Sequence, residues 1–342
     1  MCDGYMKIGV VIPYFQRDPG ILAQALKSIF LQELPAGARL EVVIVDDASP
    51  APVSPEIDAL APEQKAAIAV LSQPNGGPGA ARNRGLDYLA GIGADYVAFL
   101  DSDDAWMPHH LADAIAALRR GFDFYFCAEK RLSTGAESRV GDMELARLRR
   151  PNEPGVAWLA QDATLIAVAS DRLLRAYLSA YLSQTSTVVV TMNAVRHLRF
   201  SPGLRGAGED HLFWIELALL GNHAVISTAV NVVCGHGVNI YFTSFDFGSF
   251  KVVERVGYML LFWKLVKAKL DERGIDDPNC EQGIYRYRRA YSYLFVRSLL
   301  RRQVPSLIQL RLLMIEEPSL VPKMLFRFLS VLPHRHTEAS TW

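Results

Sequence analysis

Asp101-Ser102-Asp103-Asp104 places three carboxylates in four residues, directly after the apolar run Tyr96-Val97-Ala98-Phe99-Leu100. Such a cluster repels itself unless a cation shares it. Hard oxygen ligands suit Mg²⁺ or Mn²⁺, which take one or two protein carboxylates and complete their shell with water and substrate phosphate. Alternate residues of an extended segment point the same way, so Asp101 and Asp103 are the expected ligand pair. Asp104 is left for helix capping or sugar contacts. The plain alternative is a solvated turn that caps a helix after Pro108.

A second acidic pair, Asp46-Asp47, ends the apolar run Val42 to Val45. A carboxylate there can accept hydrogen bonds from a nucleobase imide or a ribose hydroxyl, or it can form an Asx-type turn before Pro50. Asn75-Gly76-Gly77-Pro78-Gly79 then leads into a helix carrying Arg82. Close backbone approach, a helix N-terminus and a guanidinium together suit a phosphate, although glycine loops are common. Glu209-Asp210 follows the glycine-rich stretch Gly203 to Gly208 and opens another helix. These acids complement the helix dipole, or one of them acts as a general base on an acceptor hydroxyl. His236, in Cys234-Gly235-His236-Gly237, is a weaker metal-ligand candidate, and an ordinary exposed or satisfied histidine is its plain reading.

Short elements must position these groups. Lys7 to Pro13 reads as a buried strand, Gly20 to Leu34 as a helix with Leu22, Leu26, Ile29 and Phe30 on one side, and Leu40 to Val45 as a strand. A polar helix over Pro55 to Ala67, a strand to Leu71, a helix to about Leu89 and the strand from Tyr96 follow. Strand and helix alternate with short links through residue 120, which predicts an α/β fold with a mostly parallel sheet flanked by helices. Ligands collect at the carboxyl ends of the strands in such sheets, and both acidic clusters fall there. Arg131 to Gly155 reads as a polar loop excursion, Gln184 to Thr191 as a strand and Asp210 to Leu220 as a helix. Phe250 to Leu332 reads as helical, with breaks near Gly274 to Asp277, Pro305 and Pro318. The expected division is therefore 1–245 and a helical C-terminal extension, 246–342.

Half of the 342 residues are apolar and the formal net charge is zero, so a large core forms and nucleic acid is not an expected partner. The four cysteines show no C-x-x-C spacing, which favours reduced buried thiols and a cytoplasmic protein. Neither a signal peptide nor a run of about 20 uncharged apolar residues is visible. The C-terminal part is basic: ten Lys or Arg stand between Gly283 and Arg335 against Glu316 and Glu317 alone. Leu320, Met324, Leu325, Phe328 and Leu332 could form one apolar face, with Lys323, Arg327 and Arg335 meeting anionic headgroups at the inner membrane. Packing of that face on the domain, or in a homodimer, is the plainer expectation.

Taken in order, Val11-Ile12-Pro13-Tyr14-Phe15, Val45-Asp46-Asp47-Ala48-Ser49, Asn75 to Gly85, Phe99 to Asp104 and Gly208-Glu209-Asp210 resemble the motifs of family 2 glycosyltransferases. The resemblance covers residues 7 to 220 and implies a GT-A fold, Rossmann-like, with inverting transfer from a nucleoside-diphosphate sugar. By position, Asp47 resembles the base-binding residue with Asp46 beside it, and Asp101 and Asp103 the D-x-D pair for ribose and metal-diphosphate. Pro13, Tyr14, Asn75, Gly76, Gly79, Arg82 and Ser102 complete the implied donor-binding set, for which a UDP-sugar is favoured. Asp210 resembles the catalytic base and Glu209 its alternate.

Phe15 stands where many relatives carry Asn, so no role is carried over to that position. The Q-x-x-R-W motif of processive relatives is absent after residue 220, which implies single addition. Gly235 to Ile240 resembles bacterial exopolysaccharide glucosyltransferases of the succinoglycan type, and so implies glucose transfer to a growing, lipid-linked saccharide. A sugar nucleotidyltransferase is the main alternative, but its glycine-rich loop after the first strand is replaced here by Pro13-Tyr14-Phe15-Gln16-Arg17. A nucleotide-sugar-binding protein without catalysis is the other.

Overall fold

The computed structural model describes residues 5–132, 137–138, 154–159, 164–235 and 251–334. They fall into two compact units, residues 1–200 with 213–238, and residues 201–212 with 239–342. The first unit is built on a mixed sheet. Its opening strands are β1 (Met6–Tyr14), β2 (Ala38–Asp46), β3 (Ile68–Ser72) and β4 (Tyr96–Phe99). All four run parallel, in the order β3-β2-β1-β4. Helices α1 (Leu22–Phe30), α2 (Ser54–Asp58), α3 (Pro62–Ala66) and α4 (Pro78–Gly91) lie between them in sequence. The expected helix over 20–34 is thus shorter, and the one over 55–67 is two short helices separated by Ala59, Leu60 and Ala61.

β1 and the ends of β2 and β4 are buried, as their near-continuous Val, Ile and Phe runs require. Helix α4 lies close against β1, because Gly85 presents no side chain: a Cβ there would sit 2.5 Å from Val11 Cγ1. The parallel register sets Tyr14 opposite Asp46 and Val11 opposite Phe99. The residues after all three strands therefore emerge on one sheet edge.

Beyond β4 the sheet becomes mixed. β5 (Ala105–Trp106), helix α5 (His110–Leu118), β6 (Phe124–Arg131), β7 (Glu137–Ser138), β8 (Val156–Trp158), β9 (Leu165–Val168) and helix α6 (Ser170–Ser179) follow. Most of the stretch expected as an irregular loop, Arg131 to Gly155, lies outside the described residues, but β7 is a strand within it and β8 follows directly after it. Gln184 to Thr191 is not one strand. Thr185–Thr187 is a 3₁₀ turn, started by the Gln184 side chain accepting the Ser186 N–H at 2.6 Å, and only β10 (Val189–Thr191) pairs as a strand. β10 runs antiparallel between β4 and β6, and β11 (Ala224–Cys234) runs parallel to β6. Helices α7 (Met192–Val195) and α8 (Glu209–Leu219) intervene. Cys127, Cys234 and Cys280 are buried free thiols.

The second unit holds helices α9 (Lys251–Asp271), α10 (Pro278–Leu300), α11 (Leu307–Glu316) and α12 (Met324–Val331), with breaks where Gly274, Pro305 and Pro318 stand. α9 packs on α10, α11 on α9 and α12 on α10. Glu317 ties these helices together, receiving Lys264 at 3.0 Å, Arg288 at 2.9 Å and Arg327 at 3.1 Å. Burial alone would raise the Glu317 carboxyl, but Lys264 and Arg288 hold it below its ordinary value.

The apolar face expected for headgroup contact is divided, with Leu325 and Leu332 exposed and the rest packed inward. Leu320 and Met324 are buried, Phe328 stacks on Tyr293 at 5.5 Å, and Arg327 is engaged by Glu317. Arg335 lies outside the described residues. No helix among the described residues is long and apolar enough to cross a membrane.

Candidate active site

At the carboxyl ends of β1, β2 and β4, carboxylates and polar side chains form one bonded chain. Asp47 is its first member. It is buried, and both its oxygens are engaged: Oδ1 accepts the Gly76 N–H at 2.7 Å and Gln73 Nε2 at 2.8 Å, and Oδ2 accepts the Gly77 N–H at 2.8 Å. Asn75 donates to the Asp47 carbonyl at 3.1 Å. The glycine loop therefore closes on Asp47, and the Gly76 amide expected for a donor phosphate bonds within the protein. Asp46 is placed differently. Its Oδ1 accepts the Ser49 N–H at 2.8 Å in an Asx-type turn, and the residue stays half-buried at the strand end. Asp46 thus stands half-buried at the strand end, and Asp47 shapes the glycine loop.

Helix α4 starts on this loop with Pro78 and Gly79 in its first turn. It carries Arg82, only 4% exposed, to Asp101 Oδ1 at 2.8 Å. A buried cation paired with a carboxylate is strongly held. Arg82 is thus engaged by the acidic turn, where a contact to donor phosphate was expected, and it links the glycine loop to that turn. Asn83 grips the Phe200 backbone in both directions, at 2.9 and 2.7 Å, and fixes the same helix further along.

The turn itself is bonded on three sides. The Asp101 N–H donates to Ser186 Oγ at 2.9 Å and the Asp104 N–H to the Asp101 carbonyl at 3.0 Å. Asp104 neither caps a helix nor reaches solvent. It is 3% exposed and accepts Ser186 Oγ at 2.6 Å, Gln184 Nε2 at 2.8 Å and the Gly235 N–H at 2.9 Å. Burial pushes its carboxyl well up, and the charges of Asp101 and Asp103 add to this, against the bonds from Ser186 and Gly235. Gly235 must be glycine here, since a Cβ would lie 1.9 Å from the Asp103 carbonyl oxygen. Ser102 is buried and accepts Gln16 Nε2 at 2.7 Å. Asp103 stays partly open to solvent.

Trp106 and His110 wall the turn from behind, ring centroids 4.8 Å apart, with Trp106 Nε1 donating to the Ser186 carbonyl at 2.7 Å. Burial lowers His110 to about 3, so its imidazole is neutral. Tyr14 is buried, and its hydroxyl donates to Glu56 Oε1 at 3.3 Å. Burial, then Glu56, pushes it up to about 12. Its side chain is therefore turned into the core, away from the rim where a donor contact was expected. Pro13 holds its place in β1 opposite Val45.

Among the described residues no three His, Cys, Asp or Glu side chains converge into a protein-only metal cage. The donor set still fits a hard divalent ion. Asp101 and Asp103 stand beside the buried Asp104, and Mg²⁺ or Mn²⁺ takes the rest of its shell from phosphate and water. His236 lies outside the described residues. In the second unit, Glu209 is buried and Asp210 Oδ1 accepts the His211 N–H at 2.7 Å in the first turn of α8.

Gln16, Gln184 and Ser186 belong to the site, and sequence reading did not single them out. Gln184 and Ser186 stand 80 and 82 residues from the Asp104 they hold, so no local spacing reveals them. The one available signal was the polar run Ser183 to Thr187 at the head of an apolar strand.

Residues 9–156 match the family described as Glycosyl transferase family 2. The chain is 36% identical over 238 residues to the succinoglycan biosynthesis protein ExoW of Rhizobium meliloti (strain 1021), covering 69% of this chain and 70% of ExoW. The fold is similar to that of S. aureus TarS 1-349 in complex with UDP-GlcNAc (TM-score 0.55, 19% identity, 85% of this chain and 73% of that one). A longer TarS structure is covered over 43% of its length. The mannosyltransferase PcManGT from Pyrobaculum calidifontis, in complex with GDP-Man and Mn²⁺, is also similar (TM-score 0.53, 17% identity, 98% of this chain and 86% of that one).

Proposed function

This chain belongs to glycosyltransferase family 2 and has the GT-A fold, and from that premise we propose that it is an inverting hexosyltransferase of bacterial exopolysaccharide synthesis. It takes its sugar, with glucose favoured, from a nucleoside-diphosphate donor, with a UDP-sugar favoured. The acceptor is a hydroxyl of a growing, lipid-linked saccharide. One observation carries the reading: the Arg82–Asp101 pair joins the nucleotide-side loop to an acidic turn at the same sheet edge. The ExoW likeness supports the pathway, and the GDP-Man and Mn²⁺ of PcManGT support the donor and metal class. Residues 1–245 serve as the transferase domain and 246–342 as its helical extension, on the cytoplasmic side, where reduced thiols are expected.

In this reading Asp46 accepts from the base or ribose of the donor. Asp101 and Asp103 hold Mn²⁺ or Mg²⁺, which neutralises charge developing on the leaving diphosphate. Asp104, bonded three ways, keeps the turn in shape. Asp210 accepts the acceptor hydroxyl proton as that oxygen attacks the anomeric carbon, with Glu209 beside it as the alternate base. The bond to the diphosphate breaks from the opposite face, so an α-linked donor gives a β-linked product. Family membership leaves the nucleotidyltransferase reading without support.

The test is incubation of the protein with Mn²⁺ and a panel of sugar nucleotides, with and without a saccharide acceptor. Release of nucleoside diphosphate with a new β-glycoside is the expected result. Pyrophosphate chemistry, or no turnover with any donor, contradicts it.

A further inference from the structure

The two short helices of the second unit are apolar on both faces, and only one face of each is used. α11 is pinned to α9 by Gln309 Nε2 donating to the Glu254 carbonyl at 2.7 Å, with Leu313 buried beside it. α12 is pinned to α10 by the Tyr293–Phe328 stack and by Arg289 donating to Ser330 Oγ at 3.0 Å. Glu317, bonded to Lys264, Arg288 and Arg327, locks the linker between them to both long helices.

The inner faces being fixed, the outer faces are left to solvent. Leu307, Ile308, Met314 and Ile315 are exposed on α11, two turns apart along a single stripe, with Ile308 78% exposed. Leu325, Phe326 and Leu329 repeat the pattern on α12, with Phe326 75% exposed. Leu300, 72% exposed, ends α10. Exposed apolar stripes of this kind mark a contact with a partner or a membrane.

The accompanying charge selects the partner. Arg301, Arg302, Arg311 and Lys323 are exposed among these residues, and from Leu299 to Leu332 the one exposed acid is Glu316. Arg311 stands within the α11 stripe itself. A two-fold contact between copies would press cations onto cations. An anionic headgroup layer neutralises them and admits the apolar side chains below it. Helices of ten and eight residues are too short to span a bilayer. We propose that α11 and α12 form an in-plane docking surface for an anionic lipid bilayer. The transferase reading enters only in what the surface is for, which is to bring the enzyme to a lipid-linked acceptor.

Flotation of the full chain tests this, using vesicles of phosphatidylcholine alone and of phosphatidylcholine with phosphatidylglycerol in equal parts. The protein is expected to float with the anionic vesicles and to remain behind with the neutral ones. Ile308→Ser/Phe326→Ser should lower anionic binding at least tenfold. Arg302→Gln/Arg311→Gln/Lys323→Gln should lower it about a hundredfold at low salt, at about fivefold per charge.

All these side chains are exposed, so both variants should keep the wild-type melting curve and the wild-type turnover of sugar nucleotide without vesicles. That turnover reports separately on the reaction. Wild-type protein that stays behind with anionic vesicles overturns the proposal, as does undiminished flotation of the apolar variant. A solution dimer that Phe326→Ser dissociates also overturns it, and assigns the surface to a second copy.

Discussion

Asp104 and Glu317 are both buried carboxylates, and their surroundings are opposite. Asp104 sits among neutral donors with two further carboxylates beside it, and its carboxyl is driven up by burial and by those charges. Glu317 sits among three cations, which hold its carboxyl down despite burial. The first region gathers three carboxylates, one of them paired with Arg82, and it is there that the proposed divalent ion would bind. The second is balanced from within and only holds helices together. Burial of a carboxylate therefore does not identify a working site; the sign of the charge left over does.

The contrast can be broken first at the acidic turn and at the proposed base. Asp103→Ala and Asp210→Asn should each lower transfer by 10²- to 10⁴-fold, with melting curves close to wild type. Near-normal turnover in Asp210→Asn would move the base to Glu209.

Glu317→Gln should act the other way. Removing the anion leaves three buried or half-buried cations without a counter-charge, a change that costs about 3–5 kcal/mol when a buried pair is broken. The variant should unfold at a clearly lower denaturant midpoint, while turnover per folded molecule is unchanged. Gly235→Ala should have a smaller effect on stability, about 1–3 kcal/mol from overpacking. It should also impair transfer, because the added Cβ meets the Asp103 carbonyl and the Gly235 N–H bonds Asp104.

The smallest effect is a pH dependence. The folded-state value of Glu317 is lowered, so its contribution to stability is fully present above the ordinary Glu range near about 4.3. It is lost as pH falls through the lowered value. Wild-type and Glu317→Gln melting temperatures should therefore converge on acidification below that range and stay apart above it. A constant gap across the acid range would mean that Glu317 acts by shape alone.

Sequence pattern revealed the parallel half of the fold, because β1, β2 and β4 are continuous apolar runs and each acidic pair interrupts one. It also placed both acidic clusters on one sheet edge. It did not reveal which carboxylates stay at the rim. Asp46 and Asp47 are adjacent and chemically alike, and only the path of the glycine loop, which wraps on Asp47, tells them apart. Gln184 and Ser186 were missed because a side-chain cap converts the head of an apparent strand into a 3₁₀ turn. The expected C-terminal apolar face was right only in part, since Leu320 and Met324 are buried while Leu325 and Leu332 are exposed. α11 and α12 are apolar nearly all round, so periodicity alone could not choose a face, and the choice was made by Gln309, Phe328 and the Glu317 cluster.

The central claim is that the turn Asp101 to Asp104 completes itself with a divalent ion and a diphosphate. Electron paramagnetic resonance of Mn²⁺ titrated into the protein, with and without UDP, tests it most directly. Wild-type protein should bind one Mn²⁺, more tightly when UDP is present, and Asp103→Ala should lose the UDP-dependent gain while Glu317→Gln keeps it. Equal Mn²⁺ binding by wild type and Asp103→Ala, in the presence and absence of UDP, would contradict the account.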